Sequence, residues 1–399
     1  MLSPAEADAA IAAHVAQFPA EQLPLPACAG RILRREIHAE RDAPPFDRVA
    51  MDGIAIAIGA LHGGRREFRV AAMQAAGQAP VTLESPDDCI EVMTGASLPA
   101  GCDTVVPIER IRITAGIAAI EAAYLPEVWM HVHRRASDAR AGGLLLAAGA
   151  RLGGPELAIA ASAGLATLKV TRTPRIAVIS TGDELVEPGM PVLHHQVRRS
   201  NSYGLGAALQ LAGFPPATDL HLPDQRPLLV ERLTREIDRH DVLVLSGGVS
   251  AGRHDHVPAV LAEIGVRRVF HQLSQRPGRP LWFGVTDRGV MVFALPGNPV
   301  SVLVCLGRYV IPALTAASGA RALIRQKVAL ARAFEFRAPL TCFLPVSLEY
   351  DPEGRTLATP RPTGGSGDFI SLAGTDGFVE LPQGPATHPA GLVTPFYRW

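Results

Sequence analysis

The spacing of hydrophobic positions changes character along the chain. Between residue 174 and about 316, unbroken apolar runs alternate with stretches whose apolar residues recur at helical spacing. The runs at 175–180, 242–245, 268–273, 281–285 and 290–295 are short and bounded by Gly, Pro, Ser, Thr or Asp. That is the pattern of strands buried on both faces, as in a parallel sheet. The stretches 202–212, 228–237 and 257–264 read as helices. Leu229, Leu233 and Ile237 share one face of the second, while Gly213 and Gly265 close the other two. A longer apolar helix, 302 to about 316, follows Asn298 and Pro299, which suit the N-cap and first helical position. Strand alternating with helix is the signature of a doubly wound α/β sheet.

Outside this unit the periods are shorter. Ser3-Pro4-Ala5-Glu6 is a helix entry with a capping box, and the helix is expected to run to about His14 or Phe18. Residues 144–148 and 153–164 read as turn and helix, expected to pair with that first helix in one discontinuous domain, 1–45 with 134–173. Short segments punctuated by Gly and Pro make 46–133 an inserted β-rich domain. Strands at 328–331, 341–349 and 378–381 make 323–399 a small β-barrel or sandwich. The expected fold class is multidomain α/β, with the doubly wound domain over 174–322.

Length agrees with several domains, since 399 residues exceed what one hydrophobic core usually supports. The 38 basic and 38 acidic residues cancel, so there is no global basic field for nucleic acid. Five cysteines are widely spaced with no CxxC, which predicts reduced thiols in a cytoplasmic protein. No basic segment precedes an apolar core at the N-terminus, so no signal peptide is expected. Gly, Pro or charge breaks every apolar stretch before the ~20 residues a membrane span needs, so none is expected.

Candidate chemistry gathers at the strand ends. Four loops, 181–184, 246–255, 276–279 and 296–301, are rich in Gly, Ser, Thr and Asp. Open α/β sheets bind ligands outside the carboxyl ends of their strands. Ser246, Gly247, Gly248 and Ser250 expose backbone N–H groups to an anion. Arg276 and Arg279 match phosphate bidentately, and Pro296, Gly297, Asn298 and Ser301 open a helix whose N-terminus attracts anions. Asp183, Glu184 and Asp255 would repel that anion bare, and Mg2+ between them resolves the conflict. No P-loop and no GxGxxG is present. In the inserted domain, Met51-Asp52-Gly53 reads first as a hairpin turn. Thr94-Gly95 could set a hydroxyl beside a bare N–H, or be an ordinary loop. His131 and His133 share a strand face, half a metal site at most, with no third ligand evident.

These motifs, in this order, resemble the MoeA family of molybdopterin molybdenumtransferases, whose animal relative is the C-terminal domain of gephyrin. Met51-Asp52-Gly53, the Thr94-Gly95-Ala96 to Glu109 signature and Ser180-Thr181-Gly182-Asp183-Glu184-Leu185 carry the likeness. So do Ser246 to Ser250 with Gly252 and Asp255, Pro277-Gly278 with Pro280, and Leu295 to Ser301. The resemblance covers essentially the whole chain. It implies a homodimer of four-domain subunits whose α/β domain is MogA-like, with the active site in a cleft at the dimer interface. It implies that adenylated molybdopterin and molybdate bind, the adenylate is hydrolysed, molybdenum enters the dithiolene, and AMP leaves, with Mg2+ required. Matched by motif, catalytic roles fall on Asp52, Thr94, Asp138, Glu184 and Asp255, with Arg276 and Arg279 binding phosphate or molybdate. Partners implied are a molybdopterin adenylyltransferase and recipient molybdoenzymes.

The chain departs from the pattern at several points. Arg276 and Arg279 stand for two lysines, Val49 and Ile54 for a serine and a tyrosine flanking Asp52, Ala136 for a glycine, Ala139 for an isoleucine, and Arg199 for an acid. Together they suggest a divergent paralogue. The alternative is a non-catalytic molybdopterin-binding or delivery protein serving one molybdoenzyme.

Overall fold

Strict alternation of side chains across each strand sorts the central sheet into two cores. The computed structural model describes residues 1–249, 256–322, 324–384 and 386–399. Within them a six-stranded sheet runs in the order Thr218–Leu222, Ile176–Thr181, Val242–Ser246, Met291–Leu295, Trp282–Val285, Arg267–His271. Ile176, Val178, Val242, Val244, Met291 and Phe293 face one core, closed by helix Asn201–Leu211 and the long helix Pro299–Ala317. Ala177, Ile179, Leu243, Leu245, Val292 and Ala294 face the other, closed by Arg226–Arg239 and Val257–Glu263. The sheet is therefore doubly wound, but not wholly parallel. The first four strands are parallel, whereas Trp282–Val285 runs antiparallel to both of its neighbours. The short connection after Val285 forces this, because a parallel pairing needs a crossover of a dozen or more residues.

The long helix runs on as its apolar sequence predicts, but not as a regular α-helix. It passes through Gly307, Arg308 and Pro312 by widening into a π-helical turn over Leu306–Val310. Such a turn re-spaces the hydrogen-bond ladder just before the residue that cannot donate to it. At 19 residues the helix is long and apolar enough to cross a membrane, yet 67% of its most apolar window is buried in the protein. Its place in the first core accounts for that composition. Arg308 is 2% exposed. It is neutralised by Asp8 at 2.6 and 2.9 Å and by Glu380 at 2.9 Å, joining three parts of the chain.

The first helix, Pro4–Ala12, has the expected capping box: Glu6 N–H donates to Ser3 Oγ at 3.2 Å and Ser3 N–H to Glu6 Oε2 at 2.7 Å. Its packing differs from expectation. Ala7 and Ile11 join the first core of the α/β sheet rather than helix Gly154–Ser162. The apolar face of so short a helix can dock on any complementary surface, and the sheet offers the larger one. What pairs with the 144–171 region is the chain that follows. Strand Ala20–Pro24 lies antiparallel to Thr167–Thr171, and Cys28, Leu33, Ile37, Leu152, Leu168 and Val170 share a core.

The inserted region forms a sheet in the order Thr104–Pro107, Gly53–Ile56, Asp88–Val92, Glu67–Gln74, Ile117–Ile120, Ile111–Thr114. Near the C-terminus, Thr341–Tyr350, Thr356–Pro360, Lys327–Leu330, Val393–Arg398 and Gly377–Leu381 pair in sequence. Gly377–Leu381 then pairs back to Thr341–Tyr350, closing a five-stranded barrel. Closure removes the exposed edges that an open sheet of these strands would present. All five cysteines are free and buried. Burial pushes the thiols of Cys89, Cys102 and Cys342 up to about 12, so they act as packing groups rather than nucleophiles.

Candidate functional site

From Ile176–Thr181 the chain crosses to the outer strand Thr218–Leu222, then returns to Val242–Ser246 on the opposite side. The winding therefore reverses between Thr181 and Ser246, the position at which open α/β sheets accept ligands. A cavity of about 710 Å³ lies there, lined by Ser180, Thr181, Glu184, Arg199, Asn201, Ser246, Gly247, Gly248, Pro296, Gly297, Asn298 and Phe369. Its floor depends on glycine. A Cβ on Gly247 would lie 2.6 Å from the Thr181 carbonyl oxygen, and one on Gly248 2.7 Å from Val257 Cγ2. Both residues have positive φ, 104° and 65°. Asn201 Nδ2 donates to Ser246 Oγ and to the Gly297 carbonyl, each at 2.8 Å, tying two loops together. The hydroxyls of Ser180 and Thr181 are buried at this floor without a partner among the described residues. Buried hydroxyls left unpaired are costly, and a bound acceptor is the ordinary remedy.

Among the acids placed here by sequence, Glu184 reaches the cavity. Its carboxylate folds over Gly182, where a Cβ would come within 2.6 Å of Oε2. Asp183 instead accepts from the Asp224 N–H at 3.1 Å. Ser250 and Asp255 lie outside the described residues. Among those described, no group of three His, Cys, Asp or Glu could hold a metal ion. Magnesium needs only one or two protein carboxylates when phosphate oxygens complete its shell, and Glu184 meets that demand.

Arg276 and Arg279 line a second cleft of about 500 Å³ with Ser301, Phe334, Phe336 and Phe343, between the sheet and the barrel. The two clefts share Pro280, Pro296 and Asn298. The helix start is partly claimed by the protein itself. Asn298 stands at the N-cap but its side chain makes no capping bond; its Nδ2 donates to Ser366 Oγ at 2.7 Å, and the Val300 N–H donates to the Ser366 carbonyl at 3.1 Å. A barrel loop has taken the first available donor.

Asp52, Thr94 and Asp138 line neither cleft. Met51-Asp52-Gly53 is not a hairpin. It carries the chain from Arg48–Val49, paired with Val132–His133, into Gly53–Ile56 of the inserted sheet. Gly53 is required by close approach, since a Cβ would lie 2.0 Å from the Val106 carbonyl oxygen. Thr94 N–H and Thr94 Oγ1 both donate to Asp52 Oδ1, at 2.6 and 2.7 Å. The Gly95 N–H is not bare; it donates to the Val49 carbonyl at 2.9 Å. The two residues flanking Asp52 that replace polar groups, Val49 and Ile54, are buried in cores on opposite faces of that sheet. Those departures change packing rather than the rim of the carboxylate.

His131 and His133 do not form a shared strand face, because Trp129, His131 and Ala136 have positive φ and break the alternation. His131 contacts the Tyr124 hydroxyl at 3.2 Å, while His133 bridges Arg48 and Asp138 at 2.9 and 2.7 Å. The His133 hydrogen bond holds the Asp138 carboxyl below its ordinary value. Ala136 sits at φ 61°, a conformation glycine adopts without strain. Sequence reading noticed Arg199 only as a departure. It is a buried wall of the first cavity, paired with Asp219 at 2.6 and 2.9 Å and with Glu187 at 2.5 Å.

Fold and site define a multidomain α/β protein with a ligand crevice at the switch point of its central sheet. The model of the MoeA N-terminal region, domains I and II, matches residues 2–164. That of a probable molybdopterin binding domain matches 177–316, and that of the MoeA C-terminal region, domain IV, matches 327–399. A molybdopterin molybdenumtransferase of Synechocystis sp. is 41% identical over 400 residues, covering 100% of each chain. One from Synechococcus elongatus is 33% identical over 392 residues, covering 95% of each. The crystal structure of a molybdopterin biosynthesis moeA protein from Pyrococcus horikosii is 28% identical, with a TM-score of 0.82, covering 100% of this chain and 99% of that one. The chain belongs to the MoeA family.

The Thr94 amide first, and its hydroxyl second, hold the Asp52 carboxyl below its ordinary value. The resulting stabilisation is present above the unfolded value of ~3.9 and is lost as pH falls through the folded pKa. Thr94→Val removes the hydroxyl and keeps the amide. The Asp52 pKa should rise part of the way to its ordinary value in a carboxylate ¹³C NMR titration; an unmoved midpoint would exclude the hydroxyl as a cause. Ala136→Gly should raise the denaturant midpoint, by about 1 kcal/mol in stability, through relief of the left-handed strain.

Proposed function

We propose that this chain is a molybdopterin molybdenumtransferase of molybdenum cofactor biosynthesis. It binds adenylated molybdopterin and molybdate, inserts molybdenum into the dithiolene, and releases AMP as the adenylate is hydrolysed. The observation that carries the reading is the glycine-floored cavity with the Ser180 and Thr181 hydroxyls unpaired among the described residues, in a domain of the molybdopterin-binding type. Ser246, Gly247 and Gly248 line the wall against which the pterin nucleotide would rest. Arg276 and Arg279 face the adjoining cleft, where a phosphate or molybdate would find two guanidinium groups beside Ser301. A magnesium ion would be held by Glu184 with phosphate oxygens of the substrate, and would neutralise charge on the adenylate. Asp255, matched by motif, joins this set as a proposed ligand.

The catalytic assignment of Asp52, Thr94 and Asp138 is part of the same proposal. Because these residues line neither cleft of their own chain, the reading has them complete the site of the partner subunit in a homodimer. The five free cysteines favour the cytoplasm, where a molybdopterin adenylyltransferase would supply the substrate and molybdoenzymes would take the product. The non-catalytic carrier finds less support, since its motive was the loss of polar neighbours at Asp52. That carboxylate keeps two donors from Thr94.

Single-turnover mixing of the protein with adenylated molybdopterin, magnesium and molybdate should release AMP in a molybdate-dependent manner. AMP release that ignores molybdate, or none at all, would remove the transferase reading. Asp52→Ala and Glu184→Ala should each be inactive alone, and subunit exchange between the two should restore activity, because some mixed dimers then hold one intact composite site. A mixture as inactive as its parts would place each site within one subunit.

A further inference from the structure

Two polar side chains lie deep in the protein behind the Arg276–Arg279 turn, Gln275 at the back of the second cleft and Tyr309 beneath it. Gln275 is 0% and Tyr309 1% exposed. The Tyr309 hydroxyl donates to Gln275 Oε1. Gln275 Nε2 donates to the Pro277 carbonyl at 3.0 Å and approaches Cys305 Sγ at 3.8 Å. The Cys305 thiol in turn reaches the Gly278 carbonyl at 3.7 Å. Two successive carbonyls of the turn are thus held from the inside. A Cβ on Gly278 would lie 2.5 Å from Cys305 Sγ and 2.7 Å from Gln275 Nε2, so the turn is seated against this pair without slack. Its other side is also fixed, because Gln275 and Arg276 pair with Thr341 and Cys342 of the barrel.

The wide turn over Leu306–Val310 carries the inner anchor. Cys305 precedes it, and within it Arg308 is engaged by Asp8 and Glu380 while Tyr309 reaches Gln275. A π-turn disrupts the helical ladder and recurs at functional positions. A buried, fully satisfied polar pair specifies one arrangement, because losing either partner leaves the other unpaired in a dry interior. Apolar residues could fill the same space but would not fix the two carbonyls.

We propose that the Tyr309–Gln275 pair, seated on the wide turn of the long helix, is a positioning device that presets the Arg276–Arg279 turn for a tetrahedral oxyanion. The inference rests on the reading of Arg276 and Arg279 as anion-binding residues. Gln275 and Tyr309 touch neither substrate nor the reacting atoms. They act by fixing the backbone that carries the two guanidinium groups, which lowers the ordering cost at binding.

The test uses the full-length protein and AMP release under steady-state conditions, with KM measured separately for molybdate and for adenylated molybdopterin. Tyr309→Phe should raise one KM by roughly tenfold, the scale of one lost ordering interaction, with kcat at saturation retained, and should lower Tm because Gln275 Oε1 is left unpaired. The substrate whose KM rises identifies the oxyanion as molybdate or as a phosphate of the nucleotide. Gln275→Met, close in shape but without the amide, should do the same, and the double variant should be no worse than either single one. Because the two substitutions probe the pair from opposite sides, failure of one to fold leaves the other to decide. A fall in Tm with both KM values unchanged would mean ordinary packing and overturn the proposal. Arg276→Ala and Arg279→Ala separate the two levels. If they leave both KM values unmoved, the anion reading of the arginines fails. If they raise one and Tyr309→Phe raises neither, the positioning inference alone fails.

Discussion

The backbone after Val242–Ser246 passes so close to Thr181 that no side chain fits between them. This contact sets the shape of the crevice. It requires glycine at 247 and 248, brings the Ser180 and Thr181 hydroxyls to the floor, and leaves Asn201 to bridge Ser246 and Gly297 across the top of the sheet. The two cores beneath keep the strand ends in register, since each alternate side chain is committed to one helical layer or the other. A site built on such rigid strand ends can leave hydroxyls unpaired, because the surrounding packing does not yield to satisfy them.

Much of this was legible in the chain. Unbroken apolar runs between turn residues located five of the six strands of the central sheet, and Ser3, Pro4 and Glu6 located the first helix; the edge strand Thr218–Leu222, mostly exposed, carries no such run. Less legible was whatever depends on which distant surface an element meets. The first helix has an apolar face, but nothing local says that the face belongs to the α/β core. Asn298 has the composition of a cap, yet a serine 68 positions away in sequence claims its side chain. The long helix was legible from its apolar run, but its widened turn was not, because that turn answers to buried partners at Asp8, Glu380 and Gln275. The strands Thr356–Pro360 and Val393–Arg398 escaped notice because a closed barrel supplies their pairing from both sides and asks less of their own pattern.

The departures from the family pattern sort by where their side chains lie. Val49 and Ile54 face hydrophobic cores, so a change of polarity there is a matter of packing. Ala136 accepts a conformation that glycine would adopt freely, beside a carboxylate engaged by His133. Arg199, in place of an acid, brings its own neutralisation with Asp219 and Glu187. A buried guanidinium clasped by two carboxylates adds no positive field to the crevice, and charge for an anion must come from elsewhere in the site.

The long helix has a further consequence, in the order of synthesis. A segment that could pass for a membrane span is a hazard to a nascent chain until something covers it. Here all six strands of the central sheet, and the first helix, precede Pro299 in the chain. The sheet face that buries one side of the helix has therefore already been made when its apolar residues emerge, whereas Val300 and Val304 wait for Phe343, Phe378 and Tyr397 of the barrel.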